Sequence, residues 1–476
     1  MRLIFKQVLH TQLFSVLTIF MGFATLLLLM KYMDVSDYGQ YVLIQGFIAF
    51  SGIVVSQNLY TYARMKIPGE LKSNQYGYLK TVICLVFGLN FVFLLFAELI
   101  FKPGFASLFE INIDYVSAVL MIFSVQILID ELIRFLIAIK KIQIKNYVNF
   151  LQKFFILVAV LWSLYNQQEN LKLDSFLELY LYGQILVLIF IVFFVEIREL
   201  VTAKFMSDVV IQGYKIAIPL IPIGLMSIAL SYTDTFMIAK LIDLESVAQY
   251  GFASQVISIG MMLIGTSIVL TVFPYVTEAY NNNKNKDVGR MFSLMYLCSV
   301  LLSMLFFAGL TNNLSLFLSL INLEKYAPSV DYLIIMGIFP VFQSIFNVAA
   351  HKLQLERKIK VQVYVSMFIV LLNVVLNYLG IMVFGVYGAI AASLCAYILL
   401  SFLYIKISKD ERFIYEFFLK NKELRLVFII AFFVLIVLPV SIDRLDVKYV
   451  ILSNVVMISF VLFAGFFLKN KFRLLI

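Results

Sequence analysis

Five ionisable side chains are embedded in, or border, long apolar runs, and their types divide by chemistry. Arg64, Arg134, Lys153 and Lys215 are cations, and Asp234 is an acid. Cations in such places suit an anionic group, Arg above all because its planar fork donates to two oxygens in parallel. A carboxylate inside apolar sequence, such as Asp234 between Thr233 and Thr235, can bind a proton or a sodium ion. It can also pair with Lys240, which at i+6 lies on another face unless the helix is irregular. Each cation has a plainer reading beside the chemical one. Arg64 and Lys215 can be topology anchors. Arg134 follows Asp130 by four residues and Glu131 by three, so its own helix can neutralise it. Lys153 has no acid near it in sequence, and an ammonium in that setting requires a partner. Uncharged polar residues, among them Ser56, Gln126, Ser231, Ser254, Asn373 and Asn377, can line a hydrated path or bond one helix to the next.

Apolar helices must position these groups. The chain has 476 residues, of which 63% are hydrophobic and 14% charged, with a mean hydropathy of +0.98. No water-soluble globule of this size has that balance, so the chain is expected to be an all-α polytopic membrane protein. Counting runs of about 20 apolar residues predicts about fourteen spans, at 12–30, 40–62, 78–101, 115–138, 148–165, 177–197, 214–241, 250–275, 290–310, 333–352, 360–384, 386–407, 425–441 and 450–468. A shorter apolar stretch, Leu314 to Leu323, is expected to lie on the membrane surface. Pro219 and Pro222 should bend span 7 and supply a hinge.

Charge orients the spans. With the amino terminus inside, only Lys31, Lys102, Lys172, Lys240, Lys325, Arg444 and Lys448 of the 37 basic residues fall outside, and Arg134 lies within a span. The other 29 are cytoplasmic, which places both termini on the cytoplasmic side of the membrane. The net charge of +9 is then explained by topology and by anionic lipid headgroups, with no nucleic-acid partner implied. Cys84, Cys298 and Cys395 form no spaced pair and His10 and His351 are far apart, so neither a metal site nor a cofactor is expected. The first apolar run is too long for a signal-peptide core and lacks a cleavage site. The loops are too short for a soluble catalytic domain, so no enzyme is expected.

An internal repeat organises the spans. Lys31-Tyr-Met-Asp34-Val-Ser-Asp-Tyr-Gly39-Gln40-Tyr41 is echoed by Lys240-Leu-Ile-Asp243-Leu-Glu-Ser-Val-Ala248-Gln249-Tyr250 at a shift of 209, which also lands Lys6 on Lys215. Lys140-Lys-Ile-Gln-Ile144 resembles Arg357-Lys-Ile-Lys-Val361 at a shift of 217. Two six-helix bundles, 1–205 and 206–410, followed by a helix pair in 411–476, are therefore expected, with the halves as parallel repeats.

Several of these residues also carry a resemblance. Ser36-Asp-Tyr-Gly39-Gln-Tyr41, Ile218-Pro219-Leu-Ile-Pro222, Asp234 and Gly385-Val-Tyr-Gly388-Ala389-Ile-Ala-Ala392 together resemble the polysaccharide flippases of the multidrug/oligosaccharidyl-lipid/polysaccharide exporter superfamily, O-antigen and capsule repeat-unit translocases in particular. The resemblance covers about residues 1 to 410. It implies two six-helix bundles around a central cavity and, as passenger, an oligosaccharide linked to undecaprenyl pyrophosphate, flipped by alternating access. For such a passenger Lys153 and Arg64, assisted by Lys215 and Arg134, are expected to bind the pyrophosphate, because they lie toward the cytoplasmic side where its charge must be collected. Asp234 would carry a coupling H+ or Na+, and membrane lipids and polysaccharide assembly proteins would be the partners. A multidrug exporter of the same superfamily is the nearest alternative, though a pocket for cationic drugs should be acidic and aromatic. A polysaccharide polymerase would need a larger external loop, and a glycosyltransferase would need acidic metal-binding pairs on a soluble or interfacial domain.

Overall fold

The computed structural model describes residues 2–408 apart from 57–66, 68–70, 101, 109, 140, 168–170, 219–220, 283, 321–323 and 327. These residues are almost wholly helical, with one isolated bridge between Met33 and Leu171. The first seven helices are α1 (Arg2–Tyr32), α2 (Val35–Ser56), α3 (Lys72–Leu95), α4 (Lys102–Leu108), α5 (Ile113–Ala138), α6 (Ile142–Gln167) and α7 (Leu173–Val192). A short α8 (Ile197–Thr202) leads to α9 (Ser207–Ala217), α10 (Ile221–Leu241), α11 (Leu244–Asn281) and α12 (Asn285–Leu320). The last are α13 (Pro328–Met336), α14 (Phe339–Leu355), α15 (Ile359–Phe384) and α16 (Val386–Ser408). Among the described residues nine helical stretches are long and apolar enough to cross a membrane. A described helix falls within each of the first twelve expected spans; the last two, 425–441 and 450–468, lie outside the described residues.

The repeat is written in the helix ends. α1 stops at Tyr32 and α2 starts at Val35; α10 stops at Leu241 and α11 starts at Leu244, each 209 residues later. α5 stops at Ala138 and α6 starts at Ile142; α14 stops at Leu355 and α15 starts at Ile359, each 217 residues later. Both expected shifts therefore mark equivalent helix boundaries. The reason at the first is local: an Asp precedes each new helix, and the Asp243 carboxylate accepts a 2.7 Å hydrogen bond from the Ser246 amide, which caps α11. Gln40 does a different job. Its amide donates to the Glu110 carbonyl (3.1 Å) and its oxygen accepts from the Asn112 amide (3.0 Å), which ties the turn before α5, where Glu110 has φ 52°, to α2.

By contacts the chain forms two compact units, 1–248 and 249–476. α10 packs on α2 inside the first unit, so the packing boundary lies at 248, whereas the repeat shifts led to an expected boundary near 205. In that unit α1 and α6 lie together, joined beyond their far ends where the Leu171 amide donates to the Tyr32 carbonyl (2.9 Å). In the second unit Gly385 (φ 58°) turns α15 directly into α16. The backbones of Gly380 and Gly388 then touch so closely that a Cβ on Gly388 would overlap the Gly380 carbonyl. That contact is the structural role of the Gly388 to Ala392 run.

Two expectations are corrected. Residues 314–320 do not form a separate surface segment; α12 continues through them as one helix of 36 residues. Its length of about 54 Å exceeds the roughly 30 Å hydrocarbon core. Span 5 begins earlier than expected, at Ile142, so Lys153 is deep in α6 instead of one turn inside it. The expected bend of span 7 falls at Pro219, which lies outside the described residues; the described helices to either side end at Ala217 and start at Ile221.

Candidate functional site

The first unit encloses a cavity of about 170 Å³ between α2 and α5. Ile48, Ala49, Gly52, Ile53 and Ser56 form one wall, and Phe123, Gln126, Ile127, Asp130 and Arg134 the other. The spacing explains the assembly. Ala49, Gly52 and Ser56 fall at i, i+3 and i+7 on one face of α2, and Gln126, Asp130 and Arg134 at i, i+4 and i+8 on one face of α5. Small residues on α2 leave the space, since a Cβ on Gly52 would meet nothing within 4 Å.

One acid and one base on its wall set its chemistry, Asp130 and Arg134. An Arg134 guanidinium nitrogen lies 2.5 Å from one oxygen of Glu131, which is 1% exposed and outside the wall. The Gln126 carbonyl oxygen is buried with no hydrogen-bond partner. With Asp130 half-buried on the same face, the wall offers acceptors beside the Arg134 donors. Such a cavity takes water or a small cation, because an orphaned buried acceptor costs about 1–3 kcal/mol. Arg134 is therefore matched by its own helix, as its spacing from Glu131 anticipated.

The other expected site residues scatter. Lys153 is the twelfth residue of α6, exposed, with its Cδ 3.8 Å from where a Cβ on Gly22 would stand. Among the described residues no hydrogen bond or ion pair reaches its ammonium. It shares one face of α6 with Asn146 and Asn149, at i, i+3 and i+7. Lys215 is exposed in the last turn of α9. Neither lysine lines the α2–α5 cavity. Arg64 lies outside the described residues. Asp234 is 1% exposed, seven residues from the end of α10, or about two turns inside it. α10 reaches the cavity through a neighbour: Ile53, a cavity wall, fills the place where a Cβ on Gly224 would sit, 2.9 Å away.

Several polar candidates prove to be helix contacts. Ser231 and Ser258 bond back to their own helices. Buried Asn377 donates to Asn373 (3.0 Å), which donates to Ser393 across the α15–α16 pair (3.3 Å). The sequence reading weighed Glu131 only as a neutraliser, and the signal for more was a second acid beside Asp130 on a helix facing small residues.

This arrangement of helices has relatives. The MatE family model matches residues 219–379. A multidrug resistance MATE family transporter of the MOP superfamily, in an inward-facing conformation, superposes with a TM-score of 0.67 at 11% identity, over 82% of this chain and 94% of that one. The chain has the MATE transporter fold. Within that fold, the lipid II flippase MurJ in an inward closed conformation superposes with a TM-score of 0.68 at 15% identity, over 97% of this chain and 100% of that one. A MOP superfamily transporter from Pyrococcus furiosus, described by a reverse polarity of its binding pocket, gives a TM-score of 0.51 at 12% identity, over 86% and 94%. No curated protein sequence matches the chain.

Proposed function

We propose that the chain is a membrane transporter that flips undecaprenyl-pyrophosphate-linked oligosaccharide repeat units across the cytoplasmic membrane by alternating access, for O-antigen or capsule assembly. Lys153 carries this reading. An ammonium eleven residues beyond the start of a spanning helix, exposed and without a partner among the described residues, is too costly to face lipid. It belongs on a hydrated path, and an anionic passenger supplies the missing charge. The MurJ superposition supports a lipid-linked substrate, since it takes in 97% of this chain against 82% for the multidrug transporter, a difference of about 70 residues. The Pyrococcus relative supports it from another side, because pocket polarity is not constant within this fold.

The α2–α5 cavity favours a second reading, a multidrug exporter, because Asp130 on its wall would attract a cation. Its size argues otherwise: about 170 Å³ is below the roughly 300–1,000 Å³ of drug-sized sites. It suits an ion and its waters. Coupling to H+ or Na+ is assigned to Asp234 because it is a carboxylate buried in α10, with the Asp130–Glu131 pair beside the cavity as the alternative station. A strain lacking the chain should accumulate lipid-linked repeat units on the inner leaflet. Unchanged surface polysaccharide together with raised sensitivity to cationic drugs would reject the flippase in favour of the exporter.

A further inference from the structure

Between α7 and α9 the chain runs alongside α3, and its two sides differ in kind. One side is bonded. Lys72 pairs with Glu196 and lies 3.9 Å from Glu199. The Glu196 amide donates to the Tyr76 hydroxyl (3.2 Å). Lys80 donates to the carbonyls of Val201 (2.7 Å) and Ala203 (2.9 Å), and the Met206 amide donates to Thr81 (2.9 Å). Gly77 permits the approach, since a Cβ there would stand 3.0 Å from the Lys204 carbonyl and 2.9 Å from the Met206 sulfur.

The other side is bare and apolar. Phe193, Ile197, Val201 and Phe205, four residues apart, are 81%, 55%, 67% and 51% exposed. They continue in sequence the exposed row Ile185 and Ile189 of α7, a membrane-spanning helix that ends at Val192. Arg198 and Lys204 flank them, exposed and without an acidic partner among the described residues. Of the surfaces that could cover such a row, lipid is the one already continuous with it. The charge bias puts this linker on the cytoplasmic side, where the leaflet is anionic.

We propose that residues 193–205 are an interfacial strap. Phe193, Ile197, Val201 and Phe205 lie among the lipid chains at the headgroup boundary, and Arg198 and Lys204 lie against anionic phospholipid headgroups. The strap leads into α9, which ends at Ala217, so the leaflet holds the segment that approaches Pro219 and Pro222, the residues expected to bend span 7.

Nitroxide labels placed singly at Ile197, Val201 and Thr202 test this in the full chain in vesicles, with Cys84, Cys298 and Cys395 replaced by alanine. Labels at 197 and 201 should collide with oxygen severalfold more often than with a nickel chelate, and the label at 202 should show the reverse. Preference for the chelate at 197 and 201 would mean water, and exclusion of both reagents would mean protein; either overturns the strap. Labels at 197 and 201 should sit deeper in vesicles containing phosphatidylglycerol than in phosphatidylcholine alone, and Arg198→Gln with Lys204→Gln should abolish the difference. Equal depth in both lipids for the parent chain overturns the headgroup assignment.

Discussion

Gly39 meets the carbonyl oxygen of Leu244 so closely that a Cβ would overlap it, and the same Cβ would lie 3.5 Å from the Ala248 nitrogen. The first copy of the repeated hinge thus receives residues of the second at Gly39, the position that Ala248 holds in the second copy.

Gly39→Ala should therefore destabilise the protein by about 1–3 kcal/mol, since the obstacle is backbone and cannot rotate away. The midpoint of thermal unfolding in detergent measures it. Ala248→Gly is the control and should cost about 1 kcal/mol or less, the ordinary penalty of a helical glycine. Equal losses from the two would mean that the close approach does not constrain the hinge.

Much of this was legible in sequence, for physical reasons that also mark where legibility ended. Apolar runs locate the helices because the bilayer sets their length. The two repeat shifts locate helix ends because Asp34 and Asp243 stand at the same turn. The continuation of α12 was hidden by Thr311, Asn312 and Asn313, which look like a loop. Thr311 and Asn313 instead bond back to the carbonyls of Phe307 (2.9 Å) and Gly309 (2.7 Å), so the helix carries its own polar groups onward. The cavity was hidden because it needs two helices: Gly52 and Ala49 supply an absence, and only the approach of α5 makes that absence a site.

Arg134 and Glu131 should behave as one unit. Arg134→Gln leaves a buried carboxylate uncompensated and should cost about 1–3 kcal/mol, less than the roughly 3–5 kcal/mol of a fully buried pair because the Arg134 side chain is 38% exposed. Adding Glu131→Gln should restore most of the loss. If the double variant binds lipid-linked pyrophosphate like the parent, Arg134 is a structural partner. If stability returns and binding does not, Arg134 also touches the substrate.

Asp234→Asn separates coupling from binding. Amide and carboxylate are similar in size, so protein level and carrier binding should remain near the parent's while transport slows. The measurement is flipping in vesicles under imposed proton and sodium gradients. Parent-like transport under every gradient would make Asp234 a polar contact of α10 and move the coupling role to the Asp130–Glu131 pair.

Lys153 gives the sharpest test because its charge has no other explanation on α6. An ammonium that only anchored topology would sit at a helix end; this one is the twelfth residue, about 17 Å along the helix, on the face shared with Asn146 and Asn149. Lys153→Ala should weaken binding of a lipid-linked pyrophosphate by about tenfold or more, on the order of one charge-assisted hydrogen bond of about 1.5–3 kcal/mol. Binding of the neutral sugar alone should be unchanged. Lys153→Arg should keep most of the affinity, since the charge is retained and Gly22, with nothing closer to its Cβ position than the Lys153 Cδ at 3.8 Å, offers room for the larger head. Lys153→Gln tests charge apart from hydrogen bonding and should fall close to the alanine variant. Gly22→Leu would crowd the lysine stem without touching the charge, and should weaken carrier binding while leaving the stability of the Lys153→Ala chain nearly unaffected by the same change. Parent-like binding and flipping by Lys153→Ala, measured on protein inserted in the same orientation, would remove the cation from the substrate path and with it the observation that favours an anionic passenger.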